Sequence, residues 1–86
     1  MSTPPAAPRV PRQFAVLGFE STHAALDAES LLLDMGIDVV PIPTPRSLGA
    51  LCGIALRLEP ADAGRALHFL GSAGIVVGSS GTVEDV

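Results

Sequence analysis

Cys52 is the only cysteine of the chain and the residue with the most chemistry to offer. Gly53 follows it, and the run Pro43-Thr44-Pro45-Arg46 lies a few residues upstream. Much earlier, Ser21-Thr22-His23 sets two hydroxyls and an imidazole side by side. A thiol reacts as its thiolate, a form favoured by nearby cations and by the free N–H groups of a helix N-terminus. Arg46 is always cationic, and His23 can donate a hydrogen bond or take a proton. Gly53 lets a backbone or a ligand approach closely. These residue types point to Cys52 as a reactive, partly exposed nucleophile. Ser21, Thr22, His23, Arg46 and Gly53 are the groups that would steady its anion. A second reading stands beside this one: a lone Cys in an apolar strand is a small buried hydrophobe, Ser21-Thr22 a helix cap and Arg46 a solvated loop charge.

Other chemistries are excluded by what is missing. There is no Lys for a Walker-type phosphate loop and no second Cys for a dithiol motif or a disulfide framework. One Cys with the separated His23 and His68 is too few for a closed tetrahedral metal site, so no metal or other cofactor is expected. Asp27 and Glu29, two apart on a helix, diverge and cannot work as a carboxylate pair. Five Arg against nine Asp and Glu leave a net charge of −4, and three Phe are the only aromatics. That composition offers neither counterion-displacing stripe nor stacking platform, so nucleic acid is excluded as a partner. Hydrophobic residues at 48% against 16% charged exclude a disordered chain. No apolar run approaches the ~20 residues of a membrane span, and Met1 to Pro8 lack the apolar core of a signal peptide. The expectation is a cytoplasmic protein with no membrane partner.

The elements that must position these residues follow from the pattern. Residues 1–11 carry four of the eight prolines and read as a flexible leader. Gln13 to Phe19 is a continuous apolar run, as expected of a buried central strand. Glu20-Ser21-Thr22 offers cap side chains for a helix whose stripe is Ala24, Ala28, Leu31, Leu32 and Met35, and Gly36 with Ile37 ends it. Asp38 to Pro43 is a second strand, where Pro41 and Pro43 withhold donors on one side and so demand a sheet edge. Cys52 to Leu58 is the third strand, its even positions apolar. Pro60 starts a second helix, with Ala63, Ala66, Leu67 and Leu70 buried. Ile75-Val76-Val77 reads as the last strand and 79–86 as a mobile tail, giving one domain over 12–78.

The order βαββαβ predicts an α+β, ferredoxin-like domain: a four-stranded antiparallel sheet, order 4-1-3-2, with two helices on one face. In that topology the end of the first strand lies beside the start of the third. The topology therefore gathers Ser21, Thr22 and His23 with Cys52 and the Arg46 loop at one corner.

At those residues the sequence resembles a known family. Phe19-Glu20-Ser21-Thr22-His23-Ala24-Ala25, Glu29, Pro43-Thr44-Pro45-Arg46 and Cys52-Gly53 are similar to the selenium/sulfur carrier protein-like family of small bacterial domains, from about Gln13 to Val77. The resemblance implies that Cys52 carries sulfur or selenium covalently, loaded by a donor protein and unloaded onto an acceptor, with no resident cofactor. Two readings from other classes remain: a non-catalytic binding or oligomerisation module, such as a homodimer, and a thiol peroxidase or redox sensor, which lacks a resolving Cys.

Overall fold

The computed structural model of the protein describes residues 11–85. The leader expected over residues 1–11 falls, apart from Pro11, outside them. The elements are β1 (Arg12–Gly18), α1 (Thr22–Asp34), β2 (Val39–Pro43), β3 (Ile54–Leu58), α2 (Ala63–Ser72) and β4 (Ser79–Asp85). Short 3₁₀ turns occupy Arg46–Leu48 and Pro60–Asp62. The sheet order β2-β3-β1-β4 is the expected 4-1-3-2 read from the other edge, and all three pairings are antiparallel.

Each element follows from local chemistry. Ser21 caps α1 with its hydroxyl oxygen, which accepts from the Ala24 N–H at 3.1 Å. Gly36, at a φ of 78°, closes the helix in a Schellman turn. There the Ile37 N–H donates to Leu32 O at 2.9 Å and the Gly36 N–H to Leu33 O at 3.0 Å. The turn delivers Ile37 into the core, and Met35, expected in the stripe, is left 47% exposed as the C-cap. Pro41 and Pro43 sit on the edge strand, where missing donors cost no ladder bond.

Both helices cover one face of the sheet. Ala15, Leu17, Leu56 and Leu58 meet Ala25, Ala28, Leu32, Ala66 and Leu70 there in a single buried cluster with Phe19 and Ile37. Burying each large apolar side chain is worth roughly 1.5–3 kcal/mol, so this layer dominates stability. The other face holds a smaller cluster of Val16, Leu48 and Ala55, closed by Ile42, Leu51 and Val83. Its leucines come from the β2–β3 loop, which folds back across the sheet. Further along that face, the Arg12 and Arg57 guanidiniums stack on the Phe14 ring at 4.1 and 4.4 Å.

Two expectations are corrected. The last strand is Ser79–Asp85, paired along its whole length with β1, where a tail was expected. Ile75-Val76-Val77 instead closes α2: the Ile75 N–H donates to Leu70 O at 2.9 Å, and Ile75 and Val77 pack on the core. An edge strand is held by its ladder, so β4 needs little apolar content beyond Val83, and its polar sequence hid it. Leu67, expected in the buried stripe, is 41% exposed. It borders a cavity of about 320 Å³ where α2 stops short of the small Ser80 and Thr82 of β4.

Candidate functional site

Cys52 lies two residues before β3, the strand that runs between β1 and β2. Its peptide is held from both sides. The Cys52 N–H donates to Phe19 O, at the end of β1, at 3.0 Å. Its carbonyl accepts from the Thr44 hydroxyl, just past β2, at 2.6 Å. The register of β2 on β3 continues one step further, so the Thr44 N–H donates to Gly53 O at 3.2 Å. Thr44 was no candidate from the sequence. Its signal was the register: pairing Pro43 with Ile54 sets Thr44 opposite Gly53.

The thiol is partly buried at the rim of the core, and its S–H donates to Ile54 O at 3.2 Å. A thiolate has no proton for that bond, so reaction at sulfur begins with Sγ turning away from Ile54. The neighbouring Gly53 is exposed, and a Cβ on it would meet nothing within 4 Å.

Ser21 spends its oxygen on the helix cap, and Thr22 is the exposed first residue of α1. The His23 side chain is 89% exposed, with Nε2 3.3 Å from Asp27 Oδ2 one turn on. Arg46 opens the 3₁₀ turn of the β2–β3 loop with its side chain in solvent. Among the described residues, no hydrogen bond or ion pair joins Cys52 Sγ to Ser21, Thr22, His23 or Arg46. Ser21 and His23 instead line an open cavity of about 310 Å³ with Glu20, Ala24, Asp27 and the Gly74–Val76 turn. Its carboxylates oppose anions, so this cavity is not the one for a persulfide. Backbone topology thus brings the end of β1, the β2–β3 loop and Cys52 together, while the polar side chains point elsewhere.

Among the described residues no group of three or more His, Cys, Asp or Glu could hold a metal ion. No helix among them is long and apolar enough to cross a membrane. Cys52, both Pro-Thr-Pro-Arg and the Ser-Thr-His helix start fall within residues 14–79, which match the family model described as "Putative Se/S carrier protein-like". The chain belongs to that family. No curated protein and no solved structure matches it.

Proposed function

We propose that the chain carries sulfur or selenium on Cys52 as a persulfide or selenopersulfide and hands it to an acceptor protein. Family membership over residues 14–79, with Cys52 as the only thiol, is the observation that supports this most strongly. Cys52 thiolate attacks the outer sulfur of a persulfide on a donor protein. A new S–S bond forms at Cys52, the donor's S–S bond breaks, and the donor leaves as a thiolate. In the second half, an acceptor thiolate attacks the same terminal atom and Cys52 leaves as thiolate. Neither half needs an oxidant, and selenium follows the same balance. The terminal anion can take donors from Arg46, on the loop it shares with Cys52, once Sγ has turned outward. Intact mass after incubation with a cysteine desulfurase and cysteine tests the proposal. The expected result is a gain of one sulfur that Cys52→Ser loses; no gain in the wild type refutes it.

A second reading, a homodimerisation module, is favoured by the two sheet edges. β2 is blunted by Pro41 and Pro43, whereas β4 carries no proline and borders the apolar cavity beside Leu67. A sedimentation-defined dimer that Cys52→Ser leaves intact, with no sulfur gain by the wild type, would favour that reading instead.

A further inference from the structure

We propose that Thr44 is a positioning residue for Cys52, a role that rests on the carrier reading above. Thr44 makes two bonds to the Cys52-Gly53 segment, one from its hydroxyl to Cys52 O at 2.6 Å and one from its N–H to Gly53 O at 3.2 Å. With the Phe19 bond to the Cys52 N–H, these fix the backbone from which Sγ projects. Thr44 itself is prepared for the task. A residue before proline is steered to extended backbone, and Thr44 precedes Pro45. Pro43 before it is locked in φ and paired with Ile54. Little conformational freedom is left to lose when both donors engage, so the pair of bonds is formed in advance of any partner.

The pinned turn has two opposite consequences for the thiol. It keeps Sγ docked on Ile54 O, partly buried at the rim of the core and less open to small reagents than a freely turning thiol. It also gives Sγ one direction of exit, which a protein-borne persulfide must meet in line. Loosening the turn therefore speeds reaction with a small electrophile and slows transfer from a donor protein. A merely structural residue would move both in the same direction.

The test uses Thr44→Val, which keeps shape and loses the hydroxyl, and Thr44→Ser, which keeps the hydroxyl. In Thr44→Val, iodoacetamide labelling of Cys52 rises about fivefold, the population shift carried by one neutral hydrogen bond. Sulfur loading from a cysteine desulfurase supplied with cysteine falls by a similar factor, and Thr44→Ser restores both. Equal labelling of Thr44→Val and wild type, or Thr44→Ser behaving as Thr44→Val, overturns the proposal. Labelling needs no donor, so it decides on Thr44 even if the wild type accepts no sulfur and the carrier reading fails. Should Thr44→Val not fold, amide exchange in the wild type decides: protection of the Thr44 N–H supports the clamp, and free exchange overturns it.

Discussion

A Cβ on Gly18 would lie 2.5 Å from Leu51 Cδ1 and 2.9 Å from Leu48 Cδ2. Gly18, the last residue of β1, is thus the seat on which the β2–β3 loop rests, and Leu51 carries the chain directly into Cys52. Any side chain at this position must push the ends of the two leucines aside. Gly18→Val forces both leucines from their places and costs roughly 1–3 kcal/mol by overpacking. Leu51→Ala should return part of that cost when combined with it, because the two positions share one space. Chemical denaturation of the two single variants and the double variant gives the coupling. Additive losses would mean that the loop is held elsewhere.

Arg12 and Glu59 form a forked ion pair, with one arm at 2.7 Å, tying the start of β1 to the segment after β3. The hydrogen bond from Arg12 holds the Glu59 carboxyl below its ordinary pKa, burial opposes the shift, and the charges of Arg12 and Arg57 add to it. A carboxyl lowered on folding stabilises the fold above its unfolded pKa of about 4.3. The contribution fades as pH falls through the lower, folded value. Melting temperatures of wild type and Glu59→Gln should therefore differ at pH 7 and converge in acid, with the gap narrowed by salt. A gap that persists well below the carboxylate range would assign it to packing.

Which parts of this molecule are legible in its sequence depends on whether backbone or side chain does the talking. Pro41 and Pro43 announce a sheet edge because a missing donor is a local, unconditional fact, and β2 is an edge. Ser21 and Gly36 mark the ends of α1 for the same kind of reason. β4 is not legible, because an edge strand is held by its ladder to β1 and its seven residues need no apolar pattern. Strand order alone brings Phe19 against Cys52, and they share a hydrogen bond. The direction of Sγ toward Ile54 O and of His23 toward Asp27 depends on rotamers that spacing does not encode. Thr44, between two prolines, looks like loop until the register is known.

Arg46 and His23 separate two ways of steadying an anion at Cys52. Among the described residues the Arg46 guanidinium makes no ion pair, so it is free to follow a charge on the loop it shares with Cys52. His23 is turned to Asp27, and a persulfide would have to compete with that carboxylate. Ser21 holds α1, and its loss should lower stability by about 1 kcal/mol, read as a fall in melting temperature. Arg46→Gln should slow sulfur loading by up to about fivefold, the reach of one exposed charge. The deficit should shrink at high salt, where the Debye length contracts to about 3 Å. His23→Ala and Ser21→Ala should load at the wild-type rate despite the weaker helix of the latter. Loading that falls in His23→Ala but not in Arg46→Gln would move the anion from the loop to the helix N-terminus.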